Sequence, residues 1–174
     1  MAKLLRPIIL FLHVRGIDLS YYVDDGITVQ SSYVKCKAAH ELTLFVLQNA
    51  GWEIALDKCT EKPCQTILYL GFYLCSKSMR IYAPQVKIDR LINAINTVFM
   101  DNNNMGSVPC KQLAQCLGVI CHLLQSHGDI LRIASRLTQH YLGLAVQSNG
   151  WNGQVIITEE MVRELKLCQE YLIR

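Results

Sequence analysis

The chain has 174 residues, 51% hydrophobic and 18% charged, a balance that excludes a disordered polymer and supports one modest domain or one and a half small subdomains. Its formal charge of +3, from 17 basic and 14 acidic side chains, permits a nucleic-acid partner without pointing to one. No run reaches the roughly 20 apolar residues of a membrane span, so no membrane role is expected.

In chain order, residues 2–15 read as a short apolar helix stopped by Gly16. The apolar part, residues 7–14, follows a basic start but contains His13 and lacks a small-residue cleavage site, so a signal peptide is not expected. Residues 17–22 and 27–31 are β-prone and flank Val23-Asp24-Asp25-Gly26, which predicts a hairpin with an acidic tip. Ala38, Leu42, Phe45, Val46 and Asn49 recur at helical spacing, predicting a helix over 35–50 closed by Gly51, with a strand over 52–56. Residues 66–75 and 79–83 predict a second hairpin around Ser76, Lys77 and Ser78.

From Pro84 the pattern turns helical. Pro84 opens a helix to about Phe99, with Ile88, Leu91, Ile92, Ile95, Val98 and Phe99 on one face. Residues 101–106, with their run of asparagines, predict a loop. Two more helices are expected, from Ser107 or Pro109 to about Ser126 and from about Asp129 to Val146, then a loop over 147–153. Thr158 should cap a last helix, with Glu159 and Glu160 favouring its dipole. The fold class is α+β, mixed before Pro84 and nearly all helix after it.

Eight cysteines, at 36, 59, 64, 75, 110, 116, 121 and 168, show neither a Cys-x-x-Cys pair nor a matching ligand pair for Cys59 and Cys64. They read as reduced thiols, several on apolar helix faces, and hence as an intracellular protein in cytoplasm or nucleus. The five histidines have no metal spacing and receive no role.

The chemistry lies in Asp24 and Asp25. Two carboxylates about 4 Å apart repel by ~4 kcal/mol at an effective dielectric of 20, which a divalent cation relieves. Hard oxygen ligands suit Mg²⁺, and phosphoryl-transfer enzymes use two such ions to activate one oxygen and stabilise the other. Alone, the tetrapeptide reads more readily as a solvated hairpin turn; its surroundings decide.

Those surroundings resemble a family. Lys3-Leu4-Leu5-Arg6-Pro7, then Arg15-Gly16-Ile17 leading into Tyr22-Val23-Asp24-Asp25, resemble the approach to the catalytic hairpin of reverse transcriptases, closest to retrotransposons of the DIRS-like, tyrosine-recombinase group. Gly51-Trp52-Glu53-Ile54, Asp57-Lys58-Cys59, Tyr69-Leu70-Gly71-Phe72 and Met79-Arg80-Ile81-Tyr82-Ala83-Pro84 follow in the family's order, through Lys87-Ile88 into the thumb. Trp151 and the Thr158-Glu159-Glu160 to Glu164-Leu165 stretch resemble, less specifically, a link toward a ribonuclease H region.

The resemblance implies a partial polymerase palm over 1–84 and a helical thumb and start of the connection over 85–174. It implies Asp24 as principal metal ligand with Asp25 beside it, and Tyr22 and Val23 near the primer terminus and nucleotide. Lys58 would stand near the triphosphate as a catalytic cation, and Tyr69, Leu70, Gly71 and Phe72 would hold the primer. Lys87, Arg90, Lys111, Arg132 and Arg136 are candidates for the template–primer backbone. Two magnesium ions, dNTP and an RNA or DNA template with primer are the implied cofactor and partners.

Such a site needs a third carboxylate. Asp18 lies six residues before Asp24, roughly 20 Å away along a strand, too far to share the metal. The chain is therefore expected to be a poor polymerase by itself, either a piece of a longer gene or a true start in a decayed element. A non-catalytic nucleic-acid-binding remnant and an unrelated α+β domain are the rival readings. A palm with half-covered strands is also expected to self-associate through its exposed edge.

Overall fold

The computed structural model describes residues 2–173, with the side chains of 2, 3, 102–105 and 173 left aside. The fold is α+β, and the chain divides into two compact units. The first runs to Leu70 and includes Leu74–Ser78; the second takes Gly71–Tyr73 and everything from Met79 onward.

In the first unit, α1 (Ala2–His13) buries Leu5 and Leu12, seven residues apart, and Leu12 packs with Ile17 and Ala39. Gly16, at φ +74°, ends the helical path as expected: Ile17 N–H donates to Leu12 and Gly16 N–H to His13. Strands β1 (Leu19–Tyr22) and β2 (Asp25–Thr28) form an antiparallel hairpin. Helix α2 (Tyr33–Asn49) starts at Ser32, whose hydroxyl accepts from Lys35 N–H, and ends at the predicted Gly51, where Trp52 N–H returns to Leu47. The strand expected over 52–56 is absent from the described residues there, which are irregular and then form a short 3₁₀ turn at Leu56–Lys58.

The single strand expected over 66–75 is two. Strands β3 (Thr66–Tyr69) and β4 (Phe72–Cys75) are split by Leu70 and Gly71, both in the left-handed region at φ +49° and +76°. Two successive positive φ values define the turn that suits a two-residue hairpin. With β5 (Arg80–Tyr82) they make a three-stranded sheet in the order β3-β4-β5.

The second unit is built on helices. In α3 (Gln85–Met105), Leu91, Ile95 and Val98 are buried at spacings of four and three, with Ile88 and Phe99 packed at their side. The helix continues through the residues expected to be a loop. Asp101 accepts from the Gln112 amide at 2.6 Å. Ser107 to Pro109, expected to open a helix, instead form β6 (Ser107–Pro109), which pairs antiparallel with β7 (Gln154–Ile156) through buried Val108 and Val155. Helix α4 (Cys110–His127) follows. The helix expected over 129–146 breaks at buried Ser135 into α5 (Ile130–Ala134) and α6 (Arg136–Asn149). The Ser135 hydroxyl bonds back to the Leu131 carbonyl at 2.8 Å, a local alternative to the helical ladder. Last, α7 (Glu159–Ile173) buries Met161, Leu165, Cys168 and Leu172; Thr158 caps it as expected, accepting from Met161 N–H at 3.4 Å. Among the described residues no helix is long and apolar enough to cross a membrane.

Candidate functional site

The expected four-residue acidic tip is shorter than the sequence suggests. Tyr22 pairs with Asp25 and Tyr21 with Gly26, leaving Val23 and Asp24 as a two-residue turn. Asp24 sits in the turn and Asp25 is the first residue of β2, so the two carboxylates leave the chain where it reverses. Both are exposed. Val23 turns the corner at φ +55°, a region its branched side chain disfavours. Such strain persists only where the surroundings hold it.

One such restraint is Tyr69, at the end of β3. Its hydroxyl donates to the Asp25 carbonyl at 3.4 Å and bonds the Ser20 side chain across the same hairpin. Burial raises the Tyr69 phenol above its ordinary range, the Ser20 bond partly offsets this, and the Asp25 charge raises it further. The neutral hydroxyl is thus kept, and it is the donor this bridge needs. Within the first unit Tyr22, Val23, Asp24, Asp25 and Tyr69 therefore come together. Lys58 ends the 3₁₀ turn, exposed, and makes no hydrogen bond or ion pair with the hairpin among the described residues. Asp18 pairs instead with His13 Nδ1 at 2.6 Å. Among the described residues no three His, Cys, Asp or Glu side chains gather as a metal group would.

The second unit holds a cluster that carries no sequence signature. Phe72 is buried, with the Lys87 ammonium 4.2 Å from its ring centroid and the His122 ring stacked obliquely at 4.9 Å. Lys87 Nζ lies 2.5 Å from His122 Nε2; an ammonium can only donate, so Nε2 accepts and the ring proton sits on Nδ1. Gly71 makes room: a Cβ there would stand 2.5 Å from Lys87 Nζ. Burial lowers Lys87, while burial and then the Lys87 and Arg90 charges lower His122. Thirty-five positions separate Lys87 from His122 along the chain, beyond any local motif.

Comparison with protein-family models, with curated proteins and with solved structures gave no match.

Proposed function

We propose that the chain is the YVDD-bearing part of a reverse-transcriptase palm with its helical thumb, from a retrotransposon of the DIRS-like group. The observation that carries this reading is the pair Asp24 and Asp25 at a strained two-residue turn braced by the Tyr69 hydroxyl. Exposed neighbouring carboxylates held at a bend supply hard oxygen ligands of the kind that suit Mg²⁺. In this reading Asp24 and Asp25 would hold the metal, which would supply Lewis-acid stabilisation of phosphate charge in nucleotidyl transfer. Tyr22 and Val23 face the primer end, and Lys58 approaches the triphosphate when substrate is bound. Within the second unit, Lys87 and Arg90 are cations suited to a phosphodiester backbone.

Eight free thiols accord with an intracellular setting. The exposed side chains of Tyr22 and Val23 on the hairpin, and of Val29 just after it, accord with self-association.

The second reading, a nucleic-acid-binding remnant without catalysis, is favoured by the absence of a third ligating side chain beside the pair among the described residues. Both readings require binding of an RNA–DNA primer duplex that weakens steeply with salt. Only the first requires a Mg²⁺ titration, followed calorimetrically with duplex present, to lose its heat on Asp24→Asn. A chain that ignores the duplex at low salt sinks both. Primer extension by the chain alone, abolished by Asp24→Ala, would show that two carboxylates suffice.

A further inference from the structure

Lys87, Arg90 and His122 bring basic side chains together beside the buried Phe72 ring, and no acid answers them. Lys87 and Arg90 take part in no ion pair among the described residues. Asp89, between them in sequence, accepts from the Gln85 amide at 2.9 Å. On the elements packed against α4, the further titratable groups are Asp101 of α3, Arg80 and Tyr82 of β5, Arg132 of α5, and Arg136 and His140 of α6. The charges felt at His122 are nevertheless those of Lys87 and Arg90, with no carboxylate beside them.

This arrangement resists a further proton and favours an anion. Lys87 Nζ donates to His122 Nε2 at 2.5 Å, so a proton added to Nε2 would set two cations in contact, with Arg90 repelling both. A phosphate oxygen among them reverses the balance. It accepts from Lys87 and Arg90, cancels the charges that hold the imidazole neutral, and lets Nε2 take a proton and donate in turn. Lys87 can turn from Nε2 to the phosphate, because its ammonium ends a flexible stem and Gly71 offers no Cβ to obstruct it. Lys87 is half-buried, whereas Arg90 and His122 are exposed and within reach of a strand in solvent.

We propose that Lys87, Arg90 and His122 form a proton-linked site for a backbone phosphodiester, in which seating the phosphate protonates His122. The proposal rests on the nucleic-acid reading above and adds regulation by pH to it. Free His122 titrates below 6.5, so a site that raises it takes up a proton on binding, and affinity grows as pH falls toward that value. One proton limits this growth to about ten-fold per pH unit.

The test follows the His122 ring protons by NMR through a pH titration of the full chain, free and then saturated with the RNA–DNA primer duplex. The backbone phosphodiesters keep their charge throughout, so any titration belongs to the protein. Duplex binding is expected to move the His122 titration upward by at least about one pH unit. Duplex affinity should rise on acidification, and His122→Gln, its fold verified by circular dichroism, should flatten that rise. An unmoved His122 with duplex bound overturns the proposal and leaves the nucleic-acid reading standing, whereas a duplex that does not bind at low salt overturns both. A His122→Gln chain that keeps the whole pH dependence assigns it to other histidines and overturns the proposal. So does an equal upward movement with inorganic sulfate alone, which would make this a site for small free anions.

Discussion

Val23 and His122 each hold a side chain where its own chemistry resists. A left-handed backbone at a non-glycine residue costs of order 1–3 kcal/mol, and a glycine's extra chain entropy about 0.5–1. Val23→Gly should therefore stabilise the first unit by about 1 kcal/mol, read as a higher urea midpoint at unchanged slope; a lower midpoint would mean the turn carries no strain. His122 titrates against Lys87 and Arg90 of α3, with the Phe72 ring beneath. Its folded pKa lies below the ordinary 6.5, so the unfolded chain takes up this proton first as the pH falls. The contribution is complete above pH 6.5 and is lost through that value toward the lower folded one. His122→Gln should flatten this part of the stability profile, and an unaltered slope between the two chains would count against the Lys87 contact.

At the scale of elements, Glu164 joins α7 to α6. Its carboxylate accepts from Leu137 N–H at 2.9 Å and Thr138 N–H at 2.8 Å, capping the start of α6 from another helix. Glu164→Ala orphans both donors and should cost about 2 kcal/mol, with Glu164→Gln near half of that. Equal midpoints for all three chains in urea would show the cap to be idle. The contrast with Thr158 explains what could be read in advance. Thr158, Gly16 and Gly51 stop or start helices through partners within five positions, so their neighbours announce them. Glu164 caps a helix 26 positions away, and Val108 meets Val155 in strands of three residues each. Such pairings leave no periodicity to detect. The Leu70 and Gly71 turn was hidden for another reason: leucine is a rare occupant of the left-handed region, so residues 66–75 look like one β-prone run. The acidic hairpin was legible from two β-prone runs around an acidic tip, though the turn itself falls on Val23 and Asp24, which a β-branched residue at positive φ would not announce. The Lys87 and His122 cluster was not legible, since a lysine and a histidine on separate helices carry no shared pattern.

Taken whole, the molecule holds its two units by unequal means. Leu12, Ile17 and Ala39 form the buried centre of the first, whereas the second assembles twenty buried residues from Phe72 to Leu172. At roughly 25 cal/mol per Å² of apolar surface removed from water, such different cores cannot confer equal stability. The first unit also leaves Leu10, Val29, Val34 and Phe45 largely in solvent. Unfolding should accordingly depart from two-state behaviour, the first unit opening at lower denaturant than the second. Hydrogen exchange resolves this by residue: amides of α1 and α2 should exchange through a cheaper opening than those of α3, α4 and α7. Leu12→Ala, which empties a fully buried site, should lower only the first transition, by about 2–5 kcal/mol if the unit still folds. A single transition, with α2 and α4 amides sharing one exchange free energy, would show that the small core borrows stability from the large one.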